Sequence, residues 1–146
     1  MRFTVLTPTY NRAHLLPVLY QSLCAQTFRD FEWVIVDDGS MDGTRELVTS
    51  WKPFFPIRYT WKPNGGMHTA LNVGTRDAQG EFITQVDSDD YCVPHALERF
   101  DNRWRQIPDP DRFACLIVLE ISFEEFHSVK ITLWPLASSQ FLSRSN

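Results

Sequence analysis

The sequence has few cysteines and no motif that would join them. Its three cysteines, Cys24, Cys92 and Cys115, are odd in number, widely spaced and never arranged as C-x-x-C. The four histidines are scattered in the same way and offer no pair of metal ligands at helical spacing. This pattern argues against a disulfide framework or a zinc site and is typical of free thiols in a reducing compartment.

The sequence also lacks a long apolar run and an excess of basic residues. Its longest apolar stretch, 114–119, is far too short to cross a bilayer, and the N-terminus runs into a strand pattern without the apolar region of a signal peptide. The formal net charge is −4, so we expect no nucleic-acid partner. These absences predict a cytoplasmic protein with no transmembrane segment, and they leave a peripheral contact with a membrane open.

Strand and helix patterns alternate over the first hundred residues. Apolar runs rich in β-branched and aromatic residues predict strands over 3–6, 33–36, 57–61 and 82–86. A helix pattern follows each strand. Helix-start signals are Asn11 with Pro17 in the first turn, then Ser40 or Asp42, and finally Pro94. This alternation predicts an α/β fold with a mostly parallel sheet flanked by helices.

The character of the chain changes beyond residue 113. Residues 115–119 predict a buried strand, and 123–134 leave room for one or two more. The tail from residue 136 has no usable periodicity. We therefore predict a first domain over 1–113 and a divergent, partly ordered segment over 114–146.

Two acidic clusters stand where two of the predicted strands end. One is the pair Asp37 and Asp38, and the other begins at Asp87. The carboxyl ends of parallel strands are where open α/β sheets bind ligands, and an Asp there can accept a hydrogen bond from a base or a ribose. For the first pair, an ordinary Asx turn that leads into a helix is an alternative interpretation.

The second cluster, Asp87-Ser88-Asp89-Asp90, has the D-x-D spacing. Mg²⁺ and Mn²⁺ prefer carboxylate and phosphate oxygens, and Mg²⁺ usually takes only one or two protein carboxylates. A metal at this position would bridge the two phosphates of a nucleotide sugar. Taken alone, the motif fits a surface turn before the next helix equally well.

Two more loops follow the remaining strands. In the first, Pro8 fixes the backbone and Tyr10 can lie against a nucleobase, although a loop with Tyr10 in the core is the alternative. In the other, Lys62 or His68 would approach a diphosphate together with the N–H groups of the turn at 64–66, which alone fits a plain turn. Because every loop follows a strand of one parallel sheet, we expect all four to meet at one edge.

As a set, these segments closely resemble the family 2 glycosyltransferases of GT-A fold. The segments, in the family's order, are Thr7-Pro8-Thr9-Tyr10-Asn11-Arg12, Val34-Ile35-Val36-Asp37-Asp38-Gly39-Ser40, Asn64-Gly65-Gly66 with Ala70-Leu71-Asn72-Val73-Gly74, and Gly80-Glu81-Phe82 leading to Asp87-Ser88-Asp89-Asp90. The resemblance spans about residues 1–113. It implies a nucleoside diphosphosugar donor, which we take to be UDP-linked, Mg²⁺ or Mn²⁺, and inverting transfer of the sugar to a hydroxyl acceptor, either a glycan or a lipid-linked molecule.

The resemblance also implies roles for individual positions. Donor-binding residues would be Pro8, Thr9, Tyr10, Asp37, Asp38, Asn64, Gly65, His68 and Asp87. Metal ligands would be Asp89, with Asp87 and Asp90 as further carboxylates. Met67 stands where we expect a cationic residue in the nearest relatives, which weakens the predicted grip of that loop on phosphate.

The catalytic base cannot be identified from the sequence. The family places this carboxylate in a second half that binds the acceptor, where it must reach the attacking hydroxyl. The resemblance fades near residue 114, as expected for a truncated or altered gene or for an isolated donor half. The later candidates, Glu120, Glu124 and Glu125, stand in no recognisable context. We therefore expect an incomplete C-terminal half and leave the activity of this chain open.

Two other functions compete with sugar transfer. The chain could be a binding module that holds donor and metal without turnover. It could also be a receiver-like signalling domain, which likewise has Val-Asp-Asp after a strand and a further Asp later on. Against the receiver, a whole βα unit precedes Asp37, and the acids at 87–90 would have no role.

Overall fold

The computed structural model describes residues 1–106 in full and, beyond them, the backbone of two strands over 116–120 and 129–135. Strands and helices alternate through the first part of the chain. The elements are β1 (Phe3–Thr9), α1 (Leu16–Cys24), β2 (Phe31–Asp37), α2 (Thr44–Ser50), β3 (Ile57–Trp61), α3 (Met67–Asp77), β4 (Phe82–Gln85), α4 (Ala96–Arg105), β5 (Leu116–Glu120) and β6 (Val129–Pro135).

All six strands form one sheet in the order β3-β2-β1-β4-β6-β5. The first four are mutually parallel, whereas β6 runs antiparallel to β4 and β5 antiparallel to β6. The predicted α/β class with a mostly parallel sheet is therefore confirmed. Since β1 to β4 run in one direction, the loops that follow them emerge at the same edge of the sheet.

Helices cover both faces of this sheet. On one face, Val5 and Ile35 pack in a large apolar cluster with Leu19 of α1 and Phe100 of α4. On the other face, Leu6, Val34, Val36 and Ile83 pack against Ala70 of α3. Alternate strand residues point to opposite faces, and every residue of β1 and β2 is buried, so these two strands are covered on both faces.

Two predicted details at the start of the chain are wrong. Strand β1 does not stop before Pro8 but continues to Thr9, in register with β2. Its pairing with β4 ends at Leu6, so Pro8 lies where β1 has a neighbour on one side only and its missing N–H breaks no ladder bond. Asn11 does not cap α1, whose N-cap is Leu15, because its side chain binds the next loop instead.

Most other element predictions are confirmed. Strand β3 has the predicted bounds, Pro17 lies in the first turn of α1, and α4 begins two residues after Pro94. The strand predicted over 115–119 corresponds to β5. Strand β6 lies in the predicted 123–134 region except for its last residue, Pro135. Residues 107–115, 121–128 and 136–146, which include Glu124 and Glu125, lie outside the described residues, as does the Glu120 side chain. The predicted division at residue 113 stays a prediction.

The amino edge of the sheet is held together by charge. The buried Glu32 carboxylate accepts hydrogen bonds from the Thr4 hydroxyl at 2.7 Å and the Gln79 backbone N–H at 2.6 Å, and it pairs with Arg58 at 2.8 Å. Arg2 pairs with Asp101 of α4 at 2.8 Å. These bonds connect β1, β2 and β3 and join α4 to the start of β1.

Candidate functional site

A cleft of about 380 Å³ opens at the carboxyl edge of the parallel strands. It is lined by Pro8, Thr9, Tyr10, Arg12, Asp38, Met67, Asp87, Ser88 and Asp89. Six of these were predicted as site residues, and they come from the end of β1 and from the loops after β1, β2 and β4. The parallel topology thus brings the predicted segments together, and Asp38 and Asp89 face the same cleft.

The end of β1 and the residue after it supply a polar and an aromatic side chain. The Thr9 hydroxyl oxygen is buried and has no hydrogen-bond partner among the described residues, although Thr9 borders the cleft. Tyr10 next to it is 50% exposed and is not packed in the core, so the alternative interpretation of this residue is wrong. A buried hydroxyl without a partner beside an open cleft is suited to a hydrogen bond with a ligand.

Asp38 joins two loops. Its carboxylate accepts a hydrogen bond from the Lys62 ammonium, and from the backbone N–H groups of Gly65 at 3.0 Å and Gly66 at 2.7 Å. Burial alone would raise the pKa of Asp38, but these three donors outweigh it and hold the pKa below its usual value. Lys62, predicted near a diphosphate, is therefore engaged with Asp38, and Asp38 stays ionised.

Asp37 lies behind the cleft and does not line it. It is fully buried, and its two carboxylate oxygens accept from the Ser40 backbone N–H at 2.7 Å and the Tyr59 hydroxyl at 2.5 Å. Burial raises the pKa of Tyr59, and the bond to the Asp37 carboxylate raises it further. The arrangement fixes the turn that presents Asp38, and a direct contact of Asp37 with a donor stays a prediction.

The loop after β4 presents the D-x-D carboxylates. Asp89 is exposed and forms an ion pair with Arg12, with 2.5 Å between Asp89 Oδ2 and Arg12 Nη1. This hydrogen bond lowers the pKa of Asp89. Asp87 accepts a hydrogen bond from the Gln85 side-chain amide at 2.9 Å, and Ser88 between the two acids is buried. Asp87 and Asp89 thus both border the cleft, together with the buried Ser88 between them.

The remaining predicted residues surround the cleft without lining it. Asn64 packs against Gly39, where an added Cβ would lie 2.9 Å from the Asn64 backbone nitrogen. Gly65 contributes its N–H to Asp38, and His68 is exposed at the start of α3. Asp90 closes the turn at 87–90 through its backbone N–H, which donates to the Asp87 carbonyl at 3.0 Å.

Arg12 lines the cleft but was not among the predicted site residues. It follows Tyr10 and Asn11 in the loop after β1 and reaches the acidic loop after β4. The signal was available in the sequence, because a basic residue in one carboxyl-edge loop and an acidic cluster in another are expected to meet. Ser88 gave no such signal, because a serine inside an acidic turn is expected to be exposed to solvent, whereas Ser88 is buried.

Within the described part of the chain, two kinds of site are not found. No three His, Cys, Asp or Glu side chains are grouped there in a way that would hold a metal by themselves. Over the same residues, no helix has the length and apolar character needed to cross a membrane.

Comparison with known proteins identifies the family. The family model described as glycosyl transferase family 2 matches residues 4–141, which is most of the chain and extends beyond residue 113. The chain therefore belongs to glycosyl transferase family 2. Its receiver-like alternative has no support from this match.

Similar proteins carry transferase names and are much longer. An uncharacterised glycosyltransferase of Nostoc sp. is 39% identical over 101 residues, covering 68% of this chain and 31% of that protein. A chondroitin synthase of Pasteurella multocida is 38% identical over 96 residues, covering 65% of this chain and 10% of that protein. The chain thus spans about a third of the Nostoc relative and a tenth of the synthase.

Solved structures confirm the fold. S. aureus TarS in complex with UDP-GlcNAc matches with a TM-score of 0.69 and 34% identity, over 73% of this chain and 32% of the TarS chain. A mannosyltransferase of Pyrobaculum calidifontis, in complex with GDP-Man and Mn²⁺, matches with a TM-score of 0.75 over 92% of this chain and 44% of that one. At 24% identity, the second likeness concerns the fold alone. The chain has the GT-A fold.

Proposed function

We propose that this chain binds a nucleoside diphosphosugar, UDP-linked, through a divalent cation, and that it serves inverting transfer of the sugar to a hydroxyl acceptor. The observation that carries the proposal is the convergence of Thr9, Tyr10, Asp38, Asp87 and Asp89 on one cleft. Independent surface turns would have no reason to share it.

The side of the cleft formed by the loops after β1 and β2 suits a nucleoside. Tyr10 offers an exposed ring for a base, a kind of contact worth about 1–3 kcal/mol. The Thr9 hydroxyl lacks a partner among the described residues, and the ionised Asp38 carboxylate can accept from a base N–H in addition to its present donors. A neutral base with a donor edge is therefore a better match for this side than a phosphate.

The opposite side suits a divalent cation with phosphate oxygens. Asp87 and Asp89 both border the cleft, and two carboxylates are enough for Mg²⁺ or Mn²⁺, which complete their coordination with water and phosphate. When bound, the cation would supply Lewis-acid stabilisation of the departing diphosphate. The chain's own part is to hold Asp87 and Asp89 correctly placed, while the donor is oriented from the nucleoside side.

The relatives support this choice of ligand. TarS, at 34% identity, has been solved with UDP and with UDP-GlcNAc. The base that would activate the acceptor hydroxyl is not assigned to any described residue. Because the chain spans about a third of the Nostoc relative, donor binding without turnover is the second candidate.

Calorimetric titration of UDP, with and without Mn²⁺, tests the proposal. We expect binding that depends on Mn²⁺ and that is lost in Asp89→Asn, while Asp30→Asn, an exposed carboxylate outside the cleft, binds as the unaltered chain does. Absence of binding in the unaltered chain would refute the proposal.

A second assay separates the two candidate functions. Release of UDP from a UDP-sugar, with and without simple sugar acceptors, should require Mn²⁺ if the chain turns the donor over. Tight binding of UDP without any release of it favours the binding module. Release that continues in excess EDTA would contradict the role of the cation.

A further inference from the structure

We propose that Arg12 is an internal counter-ion for Asp89, which it releases when a divalent cation binds there, and that the freed guanidinium then binds the donor diphosphate. This inference rests on the proposed function and adds a residue to its site. It predicts that Arg12 opposes the binding of one ligand of the cleft and favours the binding of another.

The charges around the cleft single out Arg12. The described lining residues include three carboxylates, Asp38, Asp87 and Asp89, and one cationic side chain, Arg12. Asp38 has its own cation in Lys62, and Asp87 receives the amide of Gln85. Arg12 and Asp89 therefore neutralise each other, and a diphosphate entering this cleft meets no uncommitted cation among the described lining residues.

The Arg12–Asp89 pair is of a kind that exchanges readily. The Arg12 side chain is 41% exposed and that of Asp89 is 52% exposed, so water competes with their attraction. Exposed ion pairs contribute little net free energy, and a divalent cation at Asp89 has the stronger attraction for the carboxylate. A divalent cation at Asp89 competes with Arg12 for the carboxylate oxygens, and its positive charge repels the guanidinium, which favours the exchange.

The backbone at Arg12 is well placed for such an exchange. The Asn11 N–H donates to the Ser40 hydroxyl at 2.8 Å, and the Ala13 N–H donates to the Asp42 carboxylate at 2.9 Å. With its neighbours on both sides tied to the loop after β2, Arg12 can change partner by side-chain rotation alone. The guanidinium remains at the mouth of the cleft throughout.

Residue 67 is an uncharged methionine and leaves the diphosphate without a cationic partner at that position. Met67, the first residue of α3, lines the cleft with a 56% exposed side chain and brings no charge to it. A planar guanidinium can form two parallel hydrogen bonds with phosphate oxygens. Once separated from Asp89, Arg12 is the described lining residue that can balance negative charge of the diphosphate that the divalent cation leaves unbalanced.

The test compares two affinities in Arg12→Met. Mn²⁺ alone is titrated and followed by electron paramagnetic resonance of the free ion, and UDP is titrated calorimetrically in saturating Mn²⁺. Mn²⁺ alone should bind about two- to fivefold more tightly in Arg12→Met, the range expected for loss of an exposed ion pair. UDP should bind about tenfold more weakly, as expected for loss of a charged hydrogen bond. Arg12→Lys retains the charge but not the planar guanidinium with its paired donors. Its two affinities should lie between those of the unaltered chain and those of Arg12→Met.

A matched control is available on α4. Arg105 is an exposed arginine that forms an ion pair with Asp101 at 2.7 Å and does not line the cleft, so Arg105→Met should change neither affinity. A purely structural role of Arg12 would weaken the binding of both ligands, and that result, or unchanged affinities for both ligands, would overturn the inference. If the unaltered chain binds no UDP in Mn²⁺, the proposed function fails as well. Weaker UDP binding with unchanged Mn²⁺ binding refutes the exchange alone.

Discussion

The backbone N–H of Asn11 donates a hydrogen bond to the hydroxyl of Ser40 at 2.8 Å, and this bond joins the loop after β1 to the loop after β2. A second hydrogen bond joins the same two loops, because the Asn11 side-chain oxygen accepts from the Met41 N–H at 2.9 Å. To make both bonds, Asn11 adopts a φ of 52°, in the left-handed region. The two loops that supply Tyr10 and Asp38 are therefore held as one unit.

Substitution of Asn11 should loosen this unit. Asn11→Ala loses the bond to Met41 and keeps the strained backbone, which we expect to lower the free energy of unfolding by about 1–3 kcal/mol. Asn11→Gly relieves the strain and should lose less. Asn11→Asp keeps both the acceptor and the tolerance for positive φ, so it should come closest to the unaltered chain. Urea denaturation measures these differences, and a loss in Asn11→Gly as large as that in Asn11→Ala would contradict the contribution of φ.

Thr9 can be tested against a matched threonine. The hydroxyls of Thr9 and Thr84 are both buried and without a hydrogen-bond partner among the described residues, but only Thr9 is among the residues that line the cleft. Replacing either with valine, which has nearly the same shape, should leave stability unchanged or raise it slightly, because no hydrogen bond is lost.

The two substitutions should differ in nucleotide binding. Thr9→Val should weaken UDP binding in Mn²⁺ by roughly three- to tenfold, the range for one neutral hydrogen bond, and Thr84→Val should not change it. Calorimetry gives both affinities. Equal effects of the two substitutions would show that the Thr9 hydroxyl does not contact the ligand.

The lowered pKa of Asp38 predicts a dependence of stability on pH. Burial opposes ionisation, but Lys62 and the N–H groups of Gly65 and Gly66 outweigh it, so the folded state holds this proton less tightly than the unfolded state. The stability that Asp38 contributes is full above its unfolded pKa, about 4, and is lost as the pH falls through the lower folded value.

Asp38→Asn should therefore be less stable than the unaltered chain at neutral pH and should show a shallower loss of stability below about pH 4. Denaturation midpoints between pH 2 and 7, on the order of one point per pH unit, would measure the slope. Asp30→Asn, an exposed substitution on the far edge of the sheet, serves as the control. Parallel pH profiles for Asp38→Asn and the unaltered chain would contradict this role of Asp38.

Gly80 should tolerate no side chain. A Cβ at this position would lie 2.4 Å from the Thr4 backbone nitrogen and 2.5 Å from the Phe3 carbonyl carbon, atoms of a central strand that cannot move aside. We expect Gly80→Ala to cost at least about 1–3 kcal/mol of stability. At Gly74 the nearest atom belongs to the rotatable Leu6 side chain, at 2.1 Å, so Gly74→Ala should cost less. Urea denaturation of the two variants gives the comparison, and the reverse order would contradict it.

Much of the fold was predictable because its signals are local. A β-branched run such as Ile57–Trp61 carries its own strand pattern, and Pro17 fits only the first turn of a helix. The end of β1 was not predictable in the same way. Whether Pro8 can remain in a strand depends on which neighbouring strand lies on its N–H side, and that is a property of the assembled sheet.

The candidate site divides along the same line. The convergence of the loops followed from parallel strands, so Thr9, Asp38 and Asp89 were predictable as neighbours. The individual partners were not. Asn11 is of a residue type that often caps helices, but its side chain bonds to Met41. The adjacent residues Asp37 and Asp38 have the same side chain, yet only Asp38 lines the cleft. These differences depend on tertiary contacts with residues about 20–30 positions away, which no local pattern contains.

The buried carboxylate of Glu32 and the Arg2–Asp101 pair lie at the edge of the sheet opposite the cleft. These charges are thus separate from the Asp87 and Asp89 carboxylates that border the cleft. Substitution of Asp87 or Asp89 therefore leaves these contacts of the scaffold in place.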